Sequence, residues 1–246
     1  MAENYSYFPI NQISLKELMD YCKSDTLNNI KEITVSHMTP RLTKESVETE
    51  DLMTLPKVLT TKTELSNYLK EKGFTFSFHE NGKITSYKDG VKIDWSKKLD
   101  PLYMESRLGG KDSRNDIGLN GYLFRSNFVI DDCKNWLGCP EILQAIDSKF
   151  RGKNICNDFF NNQVNYLVSF KVPVNKIDFA EANSGSNITE LLVKYSVNAL
   201  AHLINDVKEF KNPVIMLERN YTVPNKDILQ INTLNIERHK VYVEDV

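Results

Sequence analysis

Two dipeptides, Asn81-Gly82 and Asp89-Gly90, constrain the fold more than any other feature of this chain. They sit inside FTFSFHENGKITSYKDGVKIDW, Phe74 to Trp95, each between short runs that alternate in polarity. A type I′ turn needs positive φ at both central residues, and Asn-Gly and Asp-Gly adopt it at least steric cost. The spacing predicts a three-stranded antiparallel meander. A chain that carries such hairpins needs a fold with room for antiparallel sheets.

The remaining signals place helices and strands around that meander. Ser14 to Glu17 has the form of a capping box, in which a serine oxygen and a glutamate three residues on satisfy each other's backbone donors. Thr61 to Glu64 repeats the form and predicts a second helix, stopped by Gly73 in a left-handed conformation. Pro140 opens a helix to about Phe150, and Asn187 caps the longest one, to about Phe210. Strand-like runs cover Glu32 to Thr39, turning at Pro40 and Arg41, then Gly121 to Asn127, and Val164 to Val174, with Lys176 to Phe179 as an extension. Three more close the chain, Val214 to Arg219, Ile228 to Asn232 and Ile236 to Val243.

Strands come in adjacent pairs rather than in strand–helix alternation, which predicts an α+β fold of mostly antiparallel split sheets with flanking helices. The expected organisation is one domain over residues 1–246, with 57–98 inserted as a helix plus the meander at one edge. Gly109-Gly110 lacks the flanking pattern of a phosphate loop or dinucleotide fingerprint, so a doubly wound nucleotide fold is disfavoured.

Charge and cysteine content exclude several function classes. With 31 basic and 33 acidic residues the net charge is −2, so no global field draws the chain to a phosphate backbone or an anionic membrane. Its densest basic runs, Lys57 to Lys72 and Lys88 to Lys98, read as solvated faces. Cys22, Cys133, Cys139 and Cys156 form no CxxC pair and have no histidine at zinc spacing; reduced thiols, no metal and a cytoplasmic setting are expected. No signal-peptide pattern precedes the Asn-x-Ser/Thr triplets at Asn4, Asn187 and Asn220, and no apolar run reaches the roughly 18 residues that span a bilayer.

EITVSHMTPRL, Glu32 to Leu42, starts as a buried strand and ends in polar groups. His37 is open to two readings, a packed core residue or a hand held out to a ligand, and His79 and His202 read as structural. Tyr122 opens the run GYLFRSN, and Glu218 lies in the late run VIMLER. Each of the three is a polar group on an apolar strand. Glu105, Arg107 and Asp116 are further polar groups near the second of them. The segment from Arg107 to Asn120 reads as a long loop that orders over a ligand.

The order His37-x-Thr39, Gly121-Tyr122 and Glu218, followed by Val223-Pro224 and Asp227-Ile228, resembles the NAD-dependent ADP-ribosyltransferases of the His-Tyr-Glu kind. The resemblance covers about 11 residues near His37, about 7 near Tyr122 and about 20 near Glu218. It implies split antiparallel sheets with one site residue on each of three strands. His37 and Thr39 would bind the nicotinamide half and ribose of NAD, Tyr122 would pack on the nicotinamide, and Glu218 would be the catalytic carboxylate. NAD would be a substrate, no metal would be needed, and the acceptor would be a macromolecule, protein favoured over nucleic acid. The chemistry suits these residue types, because a carboxylate stabilises the positive charge that develops on ribose as the nicotinamide bond breaks. No Ser-Thr-Ser triplet is present and no Glu-x-Glu pair includes Glu218, against the arginine-modifying branch.

Two other function classes stand beside this one. A non-enzymatic interaction protein, for example a viral or mobile-element factor, would bind a host or bacterial protein through the meander and the long loop. A nucleophilic enzyme built on Cys133 or Cys139 with His202 or His239 has no local motif to support it.

Overall fold

The computed structural model describes residues 30–80, 83–95, 104–108, 118–125, 137–151, 153–178, 188–204, 212–237 and 240–244. The Ser14 capping box, the Asn81-Gly82 turn, Glu105 and most of the segment from Arg107 to Asn120 lie outside the described residues or side chains.

Strand β1 (Glu32–Arg41) is the axis of the larger sheet. It pairs antiparallel with β6 (Val164–Pro173) along its whole length, from Glu32 opposite Pro173 to Arg41 opposite Val164. On its other side lies the short β5 (Asn120–Tyr122), with Ser36 opposite Tyr122. The strands β7 (Ile177–Asp178), β8 (Val214–Leu217), β9 (Ile228–Glu237) and β10 (Lys240–Glu244) complete a seven-stranded sheet of order β10-β9-β6-β1-β5-β8-β7. Every pairing is antiparallel. The fold is α+β; β1, which carries His37, neighbours β5, which carries Tyr122, and β5 in turn neighbours β8, which Glu218 directly follows.

Lys176 to Phe179 does not extend β6. After Pro173 a 3-10 turn at Val174–Lys176 breaks the strand, and β7 joins the far edge of the sheet beside β8. The closing run at Ile228 also continues further than its pattern suggests, to Glu237, because β9 pairs with both β6 and β10.

The meander forms, as β2 (Phe74–Phe78), β3 (Ile84–Lys88) and β4 (Val91–Lys92), but as a separate three-stranded sheet rather than as an edge of the large one. Asp89 and Gly90 have φ of 49° and 80°, the double positive φ that a type I′ turn requires. Gly73, at φ 85°, ends the preceding helix in the left-handed region.

Helices α1 (Lys44–Thr49), α2 (Leu55–Thr60) and α3 (Glu64–Glu71) bridge β1 and the meander. The capping box of α3 lies two residues later than its sequence form: Thr63 is the N-cap and exchanges bonds with Ser66. Thr61 instead donates its hydroxyl to the Lys57 carbonyl and closes α2. That leaves Glu64 free of capping, and both its oxygens reach back to the end of β1, accepting from Leu42 N at 2.7 Å and Thr43 Oγ1 at 2.6 Å.

A one-turn helix, α4 (Met104–Arg107), precedes β5; α5 (Glu141–Lys149), α6 (Ile155–Asn162) and α7 (Ile188–Ile204) follow it. Cys139 and Cys156, expected as thiols, are joined in a disulfide that ties the approach to α5 to the first turn of α6. Their Cα atoms are 5.6 Å apart, within reach of a bridge. Cys139 therefore offers no thiolate for nucleophilic chemistry, and Cys133 and His239 lie outside the described residues.

Among the described residues, buried apolar side chains collect in three clusters. One holds the meander sheet against α2, α3, α5 and α6, around Leu69, Phe74, Leu143, Ile146 and Phe159. A second covers one face of the large sheet, where Val35 of β1 meets Val168, Phe170 and Val172 of β6 and Ile215 and Leu217 of β8. The third lies on the opposite face and contains Met38, Tyr122, Leu137, Leu167 and Leu234. Successive strand residues point to opposite faces, so this division follows the sequence at period two.

Candidate functional site

Period two also decides which polar residues of β1 can act together. Val35, His37, Thr39 and Arg41 lie on one face; Ser36 and Met38 lie on the other, where Ser36 Oγ bonds Ser169 Oγ at 3.0 Å. Beyond Val35 the apolar cover of the first face gives way to a cavity of about 490 Å³. His37, Thr39 and Arg41 form its floor, Glu64 and Leu65 of α3 one wall, and Leu119, Asn120, Pro140 and Glu141 another. A smaller cavity of about 260 Å³ shares His37, Arg107, Asn120 and Glu141 with it and reaches Thr54.

His37 is held by its Nδ1, 2.6 Å from the Asn120 carbonyl. A carbonyl only accepts, so Nδ1 carries the proton and the neutral ring keeps its lone pair on Nε2. Burial holds the His37 pKa down at about 4 rather than 6.5; the bond to Asn120 opposes the shift and the Arg41 charge adds to it. The ring is neutral at pH 7.

The folded pKa lies below the unfolded one, so acid protonates the unfolded chain first. Stability from this group is complete above about pH 6.5, falls as pH drops towards 4, and is flat below. A shift of that size corresponds to roughly 3 kcal/mol, an upper figure because the ring is only partly buried. Urea unfolding at pH 7 and pH 4 should show that slope in the wild type and a flatter one in His37→Gln. Parallel slopes would mean that His37 titrates normally.

Arg41 was not among the site residues that the sequence singles out, since Pro40 suggested that the strand had ended. The strand runs through it, and the alternation that joins His37 to Thr39 joins Arg41 to both. Its side chain is 8% exposed. Burial lowers the guanidinium pKa, while the nearby Glu50 and Glu64 charges oppose that shift. Arg107 and Glu141 form an ion pair at the cavity wall. The local sequence carries no signal for that pairing, because α4 and α5 meet only in the fold.

The four residues expected at the site do not all meet at the cavity. His37 and Thr39 line it together. Tyr122, opposite Ser36, projects from the other face of the sheet and is packed at 3% exposure among Met38, Leu137, Leu167 and Leu234. Glu218 follows Leu217, whose side chain enters the core, and its carboxylate lies outside in an ion pair with Lys176 at 2.6 Å. His79 bonds Thr85 Oγ1 at 2.8 Å within the meander, the structural role expected of it.

Among the described residues no group of three His, Cys, Asp or Glu is placed to hold a metal ion, and no helix is long and apolar enough to cross a membrane. Comparison with protein-family models, curated proteins and solved structures gives no match.

Proposed function

We propose that this protein is an NAD-dependent ADP-ribosyltransferase-like enzyme that modifies a macromolecular target, with the nicotinamide–ribose half of NAD seated in the β1 cavity against His37 and Thr39. The observation that carries the reading is the strand order β1-β5-β8, which sets the three motif-bearing segments side by side, together with a cavity that opens at His37-x-Thr39. A neutral imidazole and a hydroxyl are suited to ribose and carboxamide, which offer both donors and acceptors.

Glu218 is the catalytic carboxylate in this reading; it lines neither cavity, so the role requires the bound ribose to reach the end of β8. Its ion pair with Lys176 is no obstacle: the two side chains are 54% and 37% exposed, and a pair of that kind is worth about 0 to 1 kcal/mol. A bound substrate can displace it. A protein acceptor fits the net charge of −2 better than a nucleic acid does.

Titration calorimetry with NAD, followed by an assay for released nicotinamide, tests the proposal. Wild type should bind NAD, and His37→Ala should weaken binding by roughly tenfold, the loss expected for one or two buried hydrogen bonds. A second reading, a non-enzymatic interaction protein, draws on the placement of Tyr122 on the face opposite His37. A folded wild type that neither binds NAD nor releases nicotinamide would make that second reading the better one.

A further inference from the structure

Buried polar atoms are almost always paired, and a buried charge without a partner is costly. Around this cavity and the smaller one that adjoins it three atoms break the rule: Arg41 Nε at the larger, Thr54 Oγ1 at the smaller and Asn120 Oδ1 where they meet are buried without a hydrogen-bond partner. Arg41 and Thr54 are 8% and 2% exposed. Among the described residues no carboxylate lies within ion-pair distance of the Arg41 guanidinium. The carboxylates nearest in charge terms are engaged elsewhere: Glu64 accepts from Leu42 N and Thr43 Oγ1, and Glu50 Oε1 accepts from Glu64 N at 2.6 Å. They balance the Arg41 charge at a distance and leave its donors open.

A guanidinium is a fork of fixed N–H donors that matches phosphate and carboxylate oxygens two at a time. Thr54 can donate or accept, and Asn120 Oδ1 accepts from a ligand O–H or N–H. We infer that the two adjoining cavities together take a phosphate ester, its phosphate oxygens bound by Arg41 in the larger and its hydroxyl- or amide-bearing part held at Asn120 and at Thr54 in the smaller. The inference rests on the NAD reading above for the identity of that ester, and it assigns the pyrophosphate of NAD to the Arg41 end of the cavity. The partnerless donors and acceptors are then satisfied by one molecule.

The test is calorimetric titration of the full chain with inorganic pyrophosphate, ADP-ribose and nicotinamide riboside, for wild type, Arg41→Gln and Arg41→Lys, with thermal melts to establish folding. Wild type should bind pyrophosphate and ADP-ribose. Arg41→Gln should weaken both by roughly tenfold or more, the loss expected for hydrogen bonds to a charged group, and should leave nicotinamide riboside, which has no phosphate, within about twofold. Arg41→Lys keeps the charge without the fork and should fall between them; if the glutamine variant does not fold, the lysine variant alone decides. Pyrophosphate binding that depends on Arg41, without riboside binding or nicotinamide release, would sustain the phosphate site and sink the NAD reading. NAD turnover with unchanged ADP-ribose affinity in both variants would do the reverse. A wild type that binds neither pyrophosphate nor ADP-ribose overturns the inference.

Discussion

Glu218→Gln is expected to keep NAD bound and to slow its turnover by a factor on the order of 100 or more, the loss seen when a preorganised electrostatic group is removed from a site where charge develops. Glutamine keeps the size and the hydrogen-bonding oxygen of the side chain but not the negative charge. The exposed ion pair with Lys176 is lost as well, and its small worth leaves the melting temperature almost unmoved. A fall in kcat with KM and stability unchanged identifies a group that acts only in the transition state. Equal turnover by the variant and an active wild type would take Glu218 out of the mechanism. The contrast with His37→Ala, which acts on ground-state binding, separates the two roles in one set of measurements.

Gly121→Val is expected to destabilise the fold by about 3 kcal/mol or more, at the upper end of overpacking in a filled core. A Cβ at position 121 would stand 2.4 Å from Val35 Cγ1 and 3.0 Å from the Ser36 carbonyl oxygen. Val35 is fully buried and cannot swing away, and Ser36 is held in the sheet by its pairing with Tyr122. Strand β5 must therefore move off β1. Asn120, whose carbonyl fixes the His37 ring, is the adjacent residue, so the damage extends to the cavity. Chemical unfolding of Gly121→Ala and Gly121→Val should give graded losses, together with a shallower acid slope as His37 loses its fixed environment. An unchanged midpoint in Gly121→Val would mean that the two strands are less closely packed than the structure has them.

The meander was legible because turn chemistry is local: Asp89-Gly90 needs no distant partner to announce positive φ. Gly73 as a helix stop was legible for the same reason. The capping box was misplaced by two residues because Thr61 and Thr63 are both competent caps, and the competing acceptor, Lys57 O, belongs to the six-residue helix α2, which is too short to show a period. The pairing of Cys139 with Cys156 has no spacing rule behind it and depends on how α5 and α6 meet. For the site, alternation along β1 placed His37 and Thr39 on one face, and carrying it two residues further would have added Arg41. What alternation within single strands cannot give is the register between β1 and β5. That register puts Tyr122 opposite Ser36, and so on the far face from the cavity.

The ten-residue pairing of β1 with β6 has a consequence for how the chain comes together. Strand β1 is finished at Arg41, yet its long partner begins only at Val164 and its short one only at Asn120. Helices α2 and α3 and the meander can pack together early from contacts near in sequence, whereas the β1–β6 pairing of the large sheet waits for loop closure over more than a hundred residues, a slow and non-local step. During synthesis β1 is a lone apolar strand with its backbone donors and acceptors unmet, the kind of segment that pairs with other chains if it is left waiting. The cavity at its end, with Arg41 and His37 on one side and Asn120 on the other, is assembled only when β5 pairs with β1.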